Sequence, residues 1–457
     1  MESTARPDPE HPKRRVLIIS PHWPPINAPD MQRARMSLPH YRAHGWEPIV
    51  LAVGDRWQDG VREPELEQTI PPDIEVHRSW AFPLAWTRLL GVTNLGLRSW
   101  LGLFFKGTRL IRGRRVDLVF FTNTQFVTFT LGRLWLRLFG VPYVLDVQDP
   151  WRTDYYERAG SRRPPGGWKY QVARAMAWML EGWSFRRTSG VMSVSPSYLD
   201  DLRARYPWFR QIPSSVIGFG ASHEDLAKAV ALPLPAYHYH KEHDELNFIY
   251  TGASGPVMPH ALTVLFDGLR LYRERFPEKA RRLRFHFLGT SYVAPGKGKC
   301  SVLPFAEICG VAEQVAEIPH RLGHLECLRL QNDADVLLLP GSSDLAYSPS
   351  KFYPYYLSGR PILALVFKDS VMENLLQESN CSVMVGFRQN EPKDAAHAAL
   401  ATFFDHALAG FPPGSLPQRN DAFFNRHYLA EALTRAQCDL FNLALISHHG
   451  RSVIHTP

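Results

Sequence analysis

The sequence predicts two doubly wound α/β domains facing each other across a cleft. Short apolar runs that end in loops alternate with helical patterns, which is the signature of βαβ units and a parallel sheet. That alternation stops in a proline-rich stretch near the middle of the chain and then starts again. The length, 457 residues, is too great for one ordinary core, and at ~150 residues per domain it suggests about two or three domains. With 45% apolar and 21% charged residues the chain is globular.

In chain order, residues 1–14 read as a disordered leader, rich in acids and prolines and without an apolar signal core. The run Arg15-Val-Leu-Ile-Ile-Ser20 is a buried strand that opens into the loop Pro21-His-Trp-Pro-Pro25. Residues 31–45 have helical spacing through Met31, Ala34, Leu38 and Tyr41, and 47–53 form the next strand. Residues 116–121 and 143–147 are strands with a helix at 126–138 between them, 190–194 is a further strand, and Ser195-Pro-Ser-Tyr-Leu199 opens a helix. The stretch 206–243, with Pro207, Pro213, Pro233 and Pro235, reads as the connection between domains. The pattern restarts with a strand at 246–250, a loop at 252–259 and a helix running through Leu271. Strands follow at 284–288 (ending at Gly289), 315–319, 336–339 and 362–366. The expected domains are 15–215 and 244–420, joined by a linker at 216–243 and followed by a helical segment at 421–457. Ligands are expected at the carboxyl ends of the strands, in the cleft.

Charge narrows the classes of partner. The net charge is +8, and residues 1–220 carry 30 basic and 20 acidic side chains against 22 and 24 in the remainder. A basic first half meets something anionic (nucleic acid, a membrane surface or a phosphorylated substrate) or merely sits near it. No zinc-finger spacing, RNA-binding signature or lysine-rich tail favours nucleic acid. No apolar run reaches the ~18 residues that span a bilayer; the best, 94–105, is short and contains Arg98. The five cysteines (Cys300, Cys309, Cys327, Cys381, Cys438) are odd in number and lack CxxC spacing, so they read as reduced, packed thiols of a cytosolic protein. Residues 85–106 place Trp86, Leu90, Leu95, Leu97, Trp100, Leu103 and Phe104 beside Arg88, Arg98 and Lys106, with Arg109, Arg112, Arg114 and Arg115 following. This is either an interfacial segment at anionic lipid heads, with Trp86, Arg98, Trp100, Arg112, Arg114 and Arg115 as contacts, or a buried helix with exposed arginines. Arg162, Arg163, Trp168, Lys169, Trp178, Trp183, Arg186 and Arg187 extend the same face in the first reading.

The loops also carry recognisable wording. Val16-Leu-Ile-Ile-Ser-Pro-His-Trp-Pro-Pro25 with Asn27-Ala-Pro-Asp-Met-Gln-Arg33, then Asp146-Val-Gln-Asp-Pro-Trp151, then Ala334-Asp-Val-Leu-Leu-Leu-Pro340, Pro349-Ser-Lys351 and Gly359-Arg-Pro-Ile-Leu363 follow one another in the chain. Together they resemble the bacterial retaining glycosyltransferases of family four, over residues 15–440. The resemblance implies a GT-B fold, two facing Rossmann-like domains, with the acceptor on the first and a nucleotide-sugar on the second, and with a last helix in 421–448 crossing back. It implies a hexosyltransferase-like, metal-independent transfer with retention to a lipid-linked or glycan acceptor, in cell-surface polysaccharide or glycolipid synthesis. The enzyme would work in the cytoplasm, peripherally on the inner face of the membrane. The nucleotide-sugar enters as substrate, and no cofactor is implied.

The same resemblance assigns site residues. His22, Asn27 and Ala28 fall in the loop that approaches acceptor or phosphate, where the family often has paired glycines. His22 is a donor to the sugar or a loop histidine without a role. Asp149 is a catalytic carboxylate near a sugar hydroxyl, or an Asx turn before Pro150. Lys351 offsets the leaving group's growing negative charge, with Gly252, Gly289, His320, Asp344, Ser350 and Tyr353 completing the donor site. The chain departs from the family at two points. The positions of its paired glutamates hold Ala346 and Pro354, and the arginine and lysine expected after Gly252 are missing from Tyr250-Thr-Gly-Ala-Ser-Gly-Pro-Val-Met-Pro-His260. Asp344 is the nearest substitute carboxylate. A GT-B-shaped binding or scaffold protein with a degenerate donor site is therefore the competing reading.

Overall fold

Strands that are apolar on both faces must be covered on both faces, so the apolar runs of this chain build parallel sheets clothed in helices. The computed structural model describes residues 14–89, 91–152, 168–234, 244–254, 258–291, 298–345 and 347–454. The leader at 1–13, Leu90, Arg162, Arg163, Pro235, residues 255–257 and Ala346 lie outside the described residues, as do the side chains of Trp168 and Lys169. The chain divides into two units, Met1–Phe219 with Ala430–Pro457, and Gly220–Leu429.

The first unit holds a seven-stranded sheet of β1 (Arg14–Ile19), β2 (Trp46–Val53), β3 (Glu75–Ser79), β4 (Leu118–Thr122), β5 (Tyr143–Val147), β6 (Gly190–Ser193) and β7 (Ser214–Val216). Their order is β3-β2-β1-β4-β5-β6-β7, with every pairing parallel. Strands β4 and β5 are buried at every residue. Strand β3, at the edge, reads Glu-Val-His-Arg-Ser and is only partly buried, which is why no continuous apolar run announces it. The helical pattern at 31–45 is broken in the structure. Helix α1 (Gln32–Ser37) stops before Pro39, and a 3₁₀ turn at Tyr41–His44 resumes the winding, because proline cannot donate the hydrogen bond a continuing helix needs.

Helices α2 (Leu84–Leu89), α3 (Leu95–Gly113), α4 (Phe129–Phe139), α5 (Trp168–Phe185) and α6 (Pro196–Arg205) complete the βα units. One core cluster joins the sheet to α3, α4, α5 and α6 through Leu17, Leu51, Leu110, Trp135, Phe185 and Leu202. Here α3 and α4 approach so closely that a Cβ on Gly107 would lie 2.4 Å from the Trp135 ring. The long last helix, Ala430–Ile454, belongs to this unit. Its Phe441 ring packs on Trp46 (5.4 Å) and Phe120 (5.0 Å), and Gln437 accepts from the Tyr41 hydroxyl at 2.8 Å and donates to Ser37 at 2.9 Å.

The second unit holds a six-stranded parallel sheet of β8 (Leu246–Thr251), β9 (Leu283–Leu288), β10 (Val315–Ile318), β11 (Val336–Pro340), β12 (Ile362–Phe367) and β13 (Ser382–Phe387), in the order β10-β9-β8-β11-β12-β13. Two buried clusters cover its faces, one centred on Phe248, Phe285 and Phe404, the other on Leu337, Phe352 and Tyr355. Part of the stretch read as a linker is instead structured in this unit. Helix α7 (His223–Ala231) is capped by Ser222, whose hydroxyl accepts from the Asp225 N–H at 3.2 Å. It is tied down by His324 to Asp225 (3.1 Å) and by the Arg329 guanidinium donating to the Leu232 carbonyl (2.9 Å). The prolines around it hide this helix from a pattern search, and the partners that hold it, His324 and Arg329, lie far along the chain.

Candidate active site

In each sheet the direction of strand addition reverses once, between β1 and β4 in the first unit and between β8 and β11 in the second. Doubly wound sheets open a crevice at that point, at the carboxyl ends of the strands. Several of the expected site residues lie near these two places, each in its own unit.

In the first unit the chain leaves β1 at Ser20, which is buried, and the loop is pinned by Gln58, whose side chain accepts from the Trp23 N–H (3.1 Å) and donates to the Val53 carbonyl (2.6 Å). His22 Nδ1 lies 2.9 and 3.0 Å from the two carboxylate oxygens of Asp30. Thr124, at the end of β4, donates its N–H (3.2 Å) and its hydroxyl (3.0 Å) to Asp30 Oδ2. Burial works against the charged Asp30, but the charge and hydrogen bond of His22, with the Thr124 donors, bring its carboxyl below the usual range. Among the described residues only Asp30 bonds the His22 ring, so the tautomer with Nδ1–H towards Asp30 leaves Nε2 as a hydrogen-bonding atom for a ligand. Beneath lies a second layer. Asp146 pairs with Arg33 Nε at 2.8 Å and accepts from Thr122 (2.8 Å) and Gln148 (3.0 Å), and Gln148 also donates to the Asp30 carbonyl at 3.1 Å.

Asp149 stands at the exit of β5, exposed as a residue though its carboxyl is partly desolvated. That desolvation raises its carboxyl above the usual range, and the negative charge of Asp30 adds to the effect. His22, Asp30 and Asp149 are thus brought to one corner of the sheet. Asn27 and Ala28 do not join them. Both are buried, at 5% and 7% exposure, and Asn27 pairs with Val61 in a two-residue antiparallel bridge that closes the base of the loop. Next to Asp149, Trp151 stacks on Phe126 (5.7 Å) and, with Tyr198, Glu181 and Arg205, lines a small pocket. Sequence reading missed Asp30 as the partner of His22, since eight residues and a turn separate them and no short motif links the pair.

In the second unit Lys351 immediately precedes helix α11 (Phe352–Ser358, with α8 to α10 being Pro259–Arg275, Leu303–Ile308 and His324–Asp333). Its side chain runs across Gly252, which has φ +132; a Cβ there would stand 2.3 Å from Lys351 Cε. Burial of the ammonium lowers its pKa, the Cys327 thiol opposes that shift, and Arg321 reinforces it. Among the described residues no carboxylate lies within ion-pair distance of Lys351. Gly289, at φ +75, turns the chain out of β9 beside His320 and Leu322. Asp344 and Ser350 are exposed on the loop before α11. Tyr353 is a correction: it is 4% exposed, its ring packed on Phe352 (5.4 Å) and Tyr428 (5.0 Å), because helical spacing turns it into the core. Pro354 follows it within α11 and brings no carboxylate.

The expected membrane contacts divide in the same way. Trp86 is 69% exposed, Arg112 is exposed, and Arg115 projects with 93% of its side chain free. Arg114 pairs with Glu75. Trp100 is half-buried, stacked on Phe104 and donating to Thr130 Oγ1 at 2.8 Å. Arg98 is the second correction. It lies on the inner side of α3, 2% exposed, paired with Asp59 (3.1 Å) and donating to the carbonyls of Phe82 (3.1 Å) and Trp57 (2.8 Å). No helix among the described residues is long and apolar enough to cross a membrane.

Comparison with known proteins agrees with this architecture. Residues 32–217 match the family described as a glycosyl transferase 4-like domain. No curated protein matches the chain. Among solved structures, the N-terminal domain of trehalose-6-phosphate phosphatase from Candida albicans is similar in fold, with a TM-score of 0.53 at 12% identity over 95% of this chain and 97% of that one. Alignments at lower TM-scores include WaaG, a glycosyltransferase involved in lipopolysaccharide biosynthesis (0.49, 13% identity, 97% and 100% covered). Another is Anabaena Alr3699/HepE in complex with UDP-glucose (0.47, 14% identity, 96% and 99% covered). With two Rossmann-like sheets in this order the chain has a GT-B fold, and residues 32–217 of its first unit match the glycosyl transferase 4-like domain family.

Proposed function

We propose that the protein is a retaining glycosyltransferase that moves a sugar from a nucleotide-sugar to a lipid-linked acceptor, in cell-surface polysaccharide or glycolipid synthesis. The observation that carries this reading is Lys351, a cation without a carboxylate partner among the described residues, laid over Gly252 at the switch point of the second sheet. A desolvated ammonium there stabilises negative charge that grows on a departing diphosphate. In a front-side displacement the acceptor hydroxyl bonds to the anomeric carbon, the bond to the diphosphate breaks, and a donor phosphate oxygen takes the hydroxyl proton, so no protein base is needed. The acceptor end of the reading uses His22 and Asp149, which offer hydrogen bonds to sugar hydroxyls in the first unit. Arg112, Arg115 and Trp86 support peripheral attachment to an anionic membrane surface.

Thermal stability of the full chain against a panel of nucleoside diphosphates tests this. A ligand at ~100 times its Kd stabilises by roughly 2.7 kcal/mol. Transfer from the matching nucleotide-sugar, with the product anomer read by NMR, then tests retention. The competing reading, a binding protein without transfer, draws on Pro354, which leaves that position of α11 without a ribose-binding carboxylate. Diphosphate binding without turnover would favour it, and no stabilisation by any diphosphate would remove the transferase reading.

A further inference from the structure

Helices α3, α4 and α5 lie side by side over the first sheet and share its core cluster. The Arg133 guanidinium ties α4 to α5: it donates to the Trp183 carbonyl at 2.6 Å and lies 4.5 Å from the centre of the Trp183 ring. This layer is nearly free of acids. Helices α3 and α4 contain none, and α5 contains only Glu181, which is buried and paired with Arg205 at 2.6 Å. By contrast, α6 carries Asp200 and Asp201, and the last helix carries Glu431 and Asp439. Arg109, Arg112, Arg137, Arg186 and Arg187 are exposed on the layer or at its helix ends, and among the described residues none of the five pairs with a carboxylate. A helix at a water-facing surface turns its charged residues outwards. Helix α5 does the reverse. Val172, Met179 and Trp183 fall on one line of its surface at helical spacing, and all three are exposed. Trp178 beside that line and Leu138 on the neighbouring α4 are exposed as well.

A nucleic acid would meet these arginines and leave the apolar line in water. A second copy of the same face would cover the line but bring like charges together. A bilayer of anionic lipids satisfies both, because its phosphates lie directly above its acyl chains. We propose that this helical layer is the face the protein lays on an anionic bilayer, with Val172, Met179 and Trp183 of α5 entering the acyl boundary and Arg137, Arg186 and Arg187 meeting lipid phosphates. It rests on the peripheral attachment in the reading above, assigns that attachment to α5, and is independent of sugar transfer.

Flotation of the full chain with vesicles of phosphatidylcholine alone, and of phosphatidylcholine in equal parts with phosphatidylglycerol, tests the face. The mixed vesicles are expected to bind, and lipids brominated along the acyl chain are expected to quench tryptophan fluorescence. Met179→Gln leaves the charge unchanged and should weaken binding about tenfold, as the loss of one buried apolar side chain does. Arg186→Ala combined with Arg187→Ala should weaken it roughly 25-fold, less as salt rises. The substituted side chains are exposed, so the Tm should hold; Val172→Ser replaces any variant whose Tm falls. Full binding by Met179→Gln and Val172→Ser, or no quenching, overturns insertion of α5 and leaves attachment through Trp86, Arg112 and Arg115 standing. Binding to a DNA duplex that the arginine pair abolishes, with no binding to vesicles, overturns the lipid assignment. A dimer in light scattering that Met179→Gln converts to a monomer overturns it too, since the line then covers a second copy. A wild-type chain that binds neither vesicle overturns the face and the attachment together, while the diphosphate test of transfer stays separate.

Discussion

The two switch points share one wiring and differ in electrostatics. In the first unit two buried pairs meet at the switch point, His22 with Asp30 and Arg33 with Asp146, cross-linked by Thr122, Thr124 and Gln148. In the second unit the Lys351 side chain crosses Gly252, with no carboxylate among the described residues within ion-pair distance. A pre-paired network suits a neutral, hydroxyl-rich ligand, because nothing in it needs an incoming charge. A buried ammonium without a carboxylate partner suits an anion. Strand order determines where a site can open, and the charges that line it determine what it will hold.

Variants of the first network should show the largest effect. Arg33→Ala leaves Asp146 buried and uncompensated, so it should destabilise the fold by about 3–5 kcal/mol in denaturant unfolding. A loss below ~1 kcal/mol would mean that the pair is not a closed interior unit. Gly252→Ala comes next. It adds a Cβ 2.3 Å from Lys351 Cε and places alanine at φ +132, so about 1–3 kcal/mol of strain should accompany weakened diphosphate binding. Retained binding with full stability would separate Gly252 from the site.

Stability against pH sharpens the contrast, because the two units should respond at opposite ends of the scale. Asp30 has a depressed pKa in the folded state, so its contribution is present above the ordinary value of 3.8 and is lost as the pH falls below it. His22→Gln should flatten that acid limb. Lys351 also has a depressed pKa, but it is a base. The unfolded chain then binds the extra proton, and stability rises with pH up to the ordinary value of 10.5. Lys351→Met should abolish that alkaline rise and stabilise the unliganded chain by roughly 1 kcal/mol. An unchanged alkaline limb would show that the ammonium is solvated. The smallest effects belong to the surface. Arg112→Ala and Arg115→Ala should each weaken binding to anionic vesicles by about fivefold, near 1 kcal/mol per residue, and the effect should fade with salt. Arg98→Ala should instead lower thermal stability, since Arg98 is buried against Asp59.

Much of the architecture was legible because burial on both faces of a parallel strand leaves a continuous apolar run, as in Leu118–Thr122 and Tyr143–Val147. Edge strands without that constraint were silent, as Glu75–Ser79 shows. Asp149 was legible as a loop residue at a strand end, and Lys351 as one in a loop that opens a helix. Whether a side chain turns outwards was not: Tyr353 and Arg98 both carry polar atoms at positions that helical phase directs into the core.

Sequence alone determined the βα alternation, the restart of the pattern, and the chemistry available at the strand ends it located, because periodicity and loop composition are local properties. Tertiary structure decided which charges meet. His22 finds Asp30 across a turn, Arg33 on α1 finds Asp146 on β5, and Lys351 before α11 crosses Gly252 after β8. Those meetings depend on strand order, since a parallel sheet brings the ends of distant segments side by side in an order that the spacing along the chain does not encode.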